Sequence, residues 1–149
     1  YYNLWSINNT NTDLGNDIVI KTVYDPCPVD FNIPAGNAFT GFTYNGQNGR
    51  RNAVNADDSR EDPQVFVDNY GFNFWTNNTK NITINFPVVG FRHSNGLMYG
   101  VGSGSACWTM AVRNRVLSHD FEYAWGGGAD IQYYDSDRSS GYSVRPVSE

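Results

Sequence analysis

The 149 residues carry a formal net charge of -5, and 40% of the side chains are apolar and 15% aromatic, a length and composition that fit one domain with a substantial core and exclude a disordered chain. Lysine occurs only at Lys21 and Lys80, so no concentrated basic surface is available for phosphate backbones, and nucleic acid is excluded as a partner. No apolar run approaches the ~20 residues of a membrane-spanning helix, so direct membrane insertion is not expected either.

The polar residues are mainly Asn, Gly, Ser, Thr and Asp, which favour turns and strands over helices. No charged-then-apolar leader opens the sequence, which is expected to begin after any such segment. Asn8-Asn9-Thr10, Asn77-Asn78-Thr79 and Asn81-Ile82-Thr83 fit the glycosylation acceptor pattern, at a frequency an Asn-rich chain produces by chance. Residues 17–24 alternate and predict a strand, stopped by the turn chemistry of Asp25-Pro26-Cys27-Pro28. Apolar anchors follow at Phe31-Asn32-Ile33-Pro34 and Ala38-Phe39-Thr40-Gly41-Phe42, where a helical turn around Asn37 to Phe42 is expected. From Tyr44 to Asp62 almost nothing is available for burial, which predicts a long exposed loop. Short strands are expected at 64–67, 71–75 and 81–86, making a meander, and again at 120–125. With only Cys27 and Cys107, the chain has no dense disulfide framework, and whether these two pair is open.

The common catalytic vocabularies are missing: there is no Gly-x-Ser-x-Gly elbow, phosphate loop, His-Glu-x-x-His or Cys-x-x-Cys. A triad base could only be His93 or His119, and neither has a diagnostic neighbourhood. Gly100-Val101-Gly102-Ser103-Gly104 lacks the properly spaced third glycine, the following amphipathic helix and the downstream acid of a dinucleotide loop and reads as a turn. Asp57-Asp58 with Glu61-Asp62, and Asp135-Ser136-Asp137, offer oxygen ligands without the closing acid of a calcium loop. No enzyme activity, cofactor or metal is therefore expected.

Four stretches carry a resemblance: Tyr24-Asp25-Pro26-Cys27-Pro28; Phe86-Pro87-Val88-Val89-Gly90-Phe91-Arg92; Gly100-Val101-Gly102 with Cys107-Trp108-Thr109; and Arg138 through Val147. In their order and spacing the chain resembles the Fibrobacter succinogenes major paralogous domain and its relatives among Bacteroidales surface proteins. The resemblance implies an α+β domain of the C-type-lectin-like, formylglycine-generating-enzyme type, with short twisted antiparallel strands, one or two short helices and long loops. It further implies antiparallel pairing among 81–86, 107–111, 119–125 and 141–147.

Relatives of this kind include pilus adhesins and the variable targets of diversity-generating retroelements. The family commonly has Tyr-Tyr where this chain has Ala106-Cys107, and Asn-rich runs where it has Val112-Arg113-Asn114-Arg115 and Gly126-Gly127-Gly128-Ala129. Residues 105–137 are therefore the candidate variable region. Oxidase chemistry at Cys107 would need a nearby partner cysteine that the sequence lacks.

The implied function is a non-catalytic recognition domain of a secreted or cell-surface bacterial adhesin. Its partners would be a protein or glycan on another cell or host surface, and other pilus or surface subunits. The alternative is a structural module with no ligand of its own. Alternation over 120–125 sends Phe121, Tyr123 and Trp125 to one face, which the resemblance assigns to the core together with Trp108. Ala106, Cys107, Ala111, Glu122, Ala124, Gly126 and Asp130 are then expected on the binding surface. Arg113, Asn114 and Arg115 join them, the two arginines to fork onto a carboxylate or stack on a ring, with His119 as a switchable donor and Tyr133 as rigid amphipathic area.

Overall fold

The computed structural model of the chain describes residues 4–8, 18–42, 66–68, 71–76, 79, 81–112, 117–124 and 128–148, with backbone alone for 66–68, 119, 124 and 128–135. The expected loop from Tyr44 to Asp62 lies outside the described residues. In chain order the strands are β1 (Phe31–Asn32), β2 (Phe66–Asp68), β3 (Gly71–Trp75), β4 (Thr83–Pro87) and β5 (Phe91–Arg92), then β6 (Met98–Tyr99), β7 (Gly104–Val112), β8 (Leu117–Ala124), β9 (Gly128–Asp137) and β10 (Val147–Ser148). They pair antiparallel in four small sheets, ordered β1-β10, β2-β3-β4, β5-β6 and β7-β8-β9.

The one helix among the described residues is a single 3-10 turn at Thr40–Phe42. The expected α+β class is thereby corrected to a β-rich domain. The physical reason lies in the spacing of Phe39 and Phe42: a repeat of three turns both rings toward one apolar cluster, and one turn suffices for that. Among the described residues no helix is long and apolar enough to cross a membrane.

Residues 71–75 form a strand as expected, and the expected strand at 81–86 appears as β4. Phe72 faces Phe86 and Phe74 faces Ile84 across the ladder, while on the other face the Asn85 Nδ2 donates to Asn73 Oδ1 at 3.0 Å. The apolar face joins Phe39, Val88, Cys107, Phe121 and Tyr123 in the larger cluster. Its rings pack mostly edge-on, as their quadrupoles favour: Phe74 and Phe86 are 5.2 Å apart at 87°. A second cluster holds Trp5, Cys27, Ile33, Trp108 and Met110, with Tyr142 stacked on Trp108 at 4.4 Å. The two thiols are free, buried, and belong to different clusters.

β7 lies between these clusters. Its alternation gives Cys107 to the first and Trp108 and Met110 to the second, so all nine of its residues are buried.

The expected strand at 17–24 is not formed by the residues described there. Lys21 makes one bridge with Ser6, the Ile20 carbonyl accepts from the Ile7 N–H, and Thr22 then turns the chain by accepting the Asp25 N–H at its carbonyl. Of the expected antiparallel partners, 107–111 and 119–125 do pair, as β7 with β8 through Cys107–Phe121 and Trp108–Asp120, while the other two segments need correction. β4 pairs with β3, and Ser143 makes a parallel bridge with Cys107.

Residues 141–148 fasten several distant elements. Gly141 exchanges backbone hydrogen bonds with Arg92, and Ser143 does so with Ala106 and Trp108. Arg145 donates to the Asn85 carbonyl at 3.0 Å, and β10 pairs with β1. Asp135-Ser136-Asp137 lies in β9 and so forms no calcium loop.

Candidate functional site

Two prolines in Asp25-Pro26-Cys27-Pro28 prevent a ladder, so the loop from Asp25 to Ile33 must satisfy its backbone in other ways. The buried Asp25 carboxylate accepts from the Cys27 N–H at 2.7 Å and from the Ile33 N–H at 3.1 Å. Lys21 Nζ donates to the carbonyls of Cys27, Pro28 and Phe31 at 2.6, 2.7 and 2.8 Å. These charged hydrogen bonds fix Pro28 and Phe31, with the Phe31 ring 40% exposed.

The end of β4 supplies a second wall. The Tyr123 hydroxyl donates to the Pro87 carbonyl at 3.0 Å, Val88 turns into the core, and Val89 turns outward. The third wall is Val144-Arg145-Pro146. The Arg145 guanidinium lies 4.5 Å over the Phe86 ring and donates one N–H to Asn85, which orients it from two directions. It makes no ion pair with a carboxylate among the described residues.

These walls enclose a groove of about 600 Å³, with Phe86, Cys107 and Tyr123 as its buried floor. A second concavity of about 700 Å³ is bordered by Ile18, Val19, Ile20, Lys21, Asn32 and Val147. Its only charged lining group is Lys21, whose ammonium is already engaged by three carbonyls. The groove at Arg145 therefore combines apolar area with an unneutralised charge, the pairing that lets a site both hold and orient a ligand.

Burial pushes the Cys107 thiol up to about 11, against the opposing pull of Arg145 and the Tyr123 hydroxyl. Burial, helped by a hydrogen bond from the thiol to Asp25, takes Cys27 to about 12. Tyr123 is likewise raised, chiefly by burial. A thiol that keeps its proton is a poor nucleophile, so Cys107 contributes floor rather than chemistry.

The expected surface residues fall into three groups. Ala106, Cys107 and Ala111 are buried, at 0%, 4% and 0% exposure, which corrects their assignment to an exposed surface: β7 is covered on both faces. Glu122 is half-buried and stands in a cross-strand row with Ala106 and Asp130. The backbones of Ala124 and His119 pair with Gly128 and Asp135, and Tyr133 lies in the irregular stretch of β9 between Ile131 and Asp135. Arg113, Asn114, Arg115 and Gly126 lie outside the described residues, as does Trp125. Phe121, Tyr123 and Trp108 are buried, as the alternation and the resemblance imply.

His93 sits in the β5–β6 turn, where its Nδ1 accepts from the Asn95 N–H at 3.3 Å. Ser94 Oγ donates to Asp137 at 2.7 Å, so the hydroxyl proton goes to the acid and not through the imidazole as a triad requires. Among the described residues no three His, Cys, Asp or Glu side chains gather to hold a metal ion. The groove residues Pro28, Phe31, Val89 and Arg145 were not among the expected site residues. The signal for them was an arginine between Val144 and Pro146 in a stretch too extended to bury it.

Among the described residues the fold and site thus define a β-rich domain with an apolar-walled groove at Arg145. No family model, curated protein or solved structure matches the chain.

Proposed function

We propose that the chain is a non-catalytic recognition domain of a secreted or surface-displayed bacterial adhesin, and that it binds a protein or glycan ligand in the groove at Arg145. One observation carries this reading: a guanidinium clamped by Asn85 and Phe86, without a carboxylate partner among the described residues, borders an open apolar groove. Phe31 and Val89, at 40% and 50% exposure, add accessible apolar area to the groove's rim. The proton-retaining thiols and the hydrogen-bonded turn at His93 give no activated nucleophile, which favours binding over catalysis. The sequence resemblance to surface proteins supplies the adhesin setting.

The test is an array of bacterial and host surface proteins and glycans probed with the native domain and with Val89→Glu, which places a carboxylate in the groove. Reproducible capture by the native domain, reduced in the variant, is expected. Capture of nothing would leave the chain a structural module, and capture unchanged by the variant would move the site elsewhere.

A further inference from the structure

We infer that the groove at Arg145 takes the free C-terminal end of a peptide whose last side chain is large and apolar. This deepens the proposed function and rests on it, because it names the class of ligand for the same groove.

Charge is the first ground. The Arg145 guanidinium uses one donor on Asn85 and one face on Phe86. A guanidinium has five N–H groups, and the remaining ones form the planar fork that a carboxylate matches with two parallel hydrogen bonds.

The walls are the second ground. Pro28, Phe31, Pro87, Val89 and Pro146 present hydrocarbon, and the Tyr123 hydroxyl donates to the Pro87 carbonyl. A sugar would leave several hydroxyls unpaired against such walls, whereas an apolar side chain gains from the same burial. The volume suits one or two residues and excludes a bulky folded element.

The backbone is the third ground, and it separates a peptide from a small acid. Ser143 directs its N–H and C=O to Ala106 and Trp108 of β7. In extended chain the next residue directs its own pair the opposite way. Val144 lines the groove, and its backbone N–H and C=O make no hydrogen bond among the described residues. A peptide lying beside Val144 can pair with them as an added strand does, with its terminal carboxylate at Arg145.

The experiment uses the whole 149-residue chain and titrates four probes by chemical-shift perturbation: acetyl-Gly-Gly-Ala-Phe with a free carboxylate, the same peptide as its amide, the free acid ending in Ser, and 3-phenylpropionate. The Phe acid is expected to bind, with the amide and the Ser peptide each at least about tenfold weaker, the loss expected when a charged hydrogen bond or a buried ring is removed. Phenylpropionate is expected to be weaker than the Phe peptide. Arg145→Gln should reproduce the amide result on the native peptide. Because Arg145 also ties the chain to β4, Val89→Glu is the second variant: it keeps Arg145 and should abolish binding while its thermal melt stays native.

Equal binding of acid and amide, or no binding of either, overturns the inference. Phenylpropionate binding as tightly as the peptide overturns the peptide assignment. If the array captures ligands in a groove-dependent way while the acid peptide does not bind, this inference fails and the recognition reading stands. If the array captures nothing, both fall.

Discussion

Phe121→Ala tests the packing on which the groove rests. The ring is fully buried, and its centroid lies 4.5 Å from Phe39, 5.3 Å from Phe86, 5.4 Å from Tyr123 and 5.5 Å from Phe74. Those neighbours are held by strands on several sides, so they cannot collapse fully into the space the ring leaves. The loss of transfer energy plus the residual cavity sets the cost at about 3–5 kcal/mol. For a domain of this size each kcal/mol lowers Tm by about 2–4 °C, so a drop of roughly 10 °C is expected. Phe121→Leu keeps most of the volume and should cost about 1–1.5 kcal/mol. Val89→Ala, at a half-exposed position, should stay within about 0.5–1 kcal/mol. Urea titration and thermal melts followed by near-ultraviolet circular dichroism read all three. A Phe121→Ala loss below about 1.5 kcal/mol, or a Val89→Ala loss of equal size, would refute the close-packed aromatic cluster as the main support of the β7 sheet.

Alkaline pH should destabilise the protein through its thiols. Native Cys27 and Cys107 hold their protons to about 12 and 11, against an ordinary value of 9.0. Their contribution is therefore complete below pH 9 and is lost as pH rises toward the native values, at about 1.4 kcal/mol per pH unit for each thiol. Between pH 9 and 10, where the tyrosines of the unfolded chain contribute equally to both proteins, melts of the native protein should fall more steeply than those of a Cys27→Ala, Cys107→Ala double variant; parallel curves would count against the burial of the thiols. Glycine replacement should separate contact from conformation. A Cβ at Gly71 would run into the Phe86 carbonyl and should prevent folding, while Gly96→Ala meets open space and should cost only the ~1–2 kcal/mol of a left-handed backbone, a difference that denaturant titration reads directly. Lys21→Met should cost about 2–3 kcal/mol by removing an ammonium from three carbonyls, and it should weaken groove binding because Pro28 and Phe31 lose their support; unchanged affinity in the folded variant would show that the loop holds itself.

Strand identity was legible where alternation is strong and both partners are near in sequence. Phe72, Phe74 and Phe86 announced β3 and β4, and the run from Phe121 to Tyr123 announced which face of β8 is buried. The sequence of β7 misled for a physical reason. A strand covered on both faces shows no alternation, and Ser105-Ala106-Cys107-Trp108-Thr109-Met110 reads as mixed chemistry rather than as a doubly buried run. Ala106 and Cys107 were small because two clusters close on them, not because they face solvent. The segment 17–24 failed in the opposite sense: Ile18, Val19 and Ile20 have strand propensity, but the neighbouring chain engages Lys21 and Ile20 through isolated hydrogen bonds. Arg145 was legible only as part of a motif. Its role depends on Asn85 and Phe86, sixty residues earlier, and no local pattern encodes that meeting.

The fastening of β1, β4, β5 and β7 by residues 141–148 has a kinetic consequence. Each of those contacts closes a loop of tens of residues, and the pairing of Phe31 with Ser148 spans most of the sequence. A chain synthesised from its N-terminus can form the β3–β4 hairpin early, but the β7 edge lacks its partner and the groove lacks a wall until residues 143–146 have been added. Folding is then a late, cooperative event governed by long-range closure, slower than for a domain of local contacts. A nascent chain that cannot complete itself early leaves the β7 edge open for longer, and an open strand edge is where a second copy can add before the first has closed.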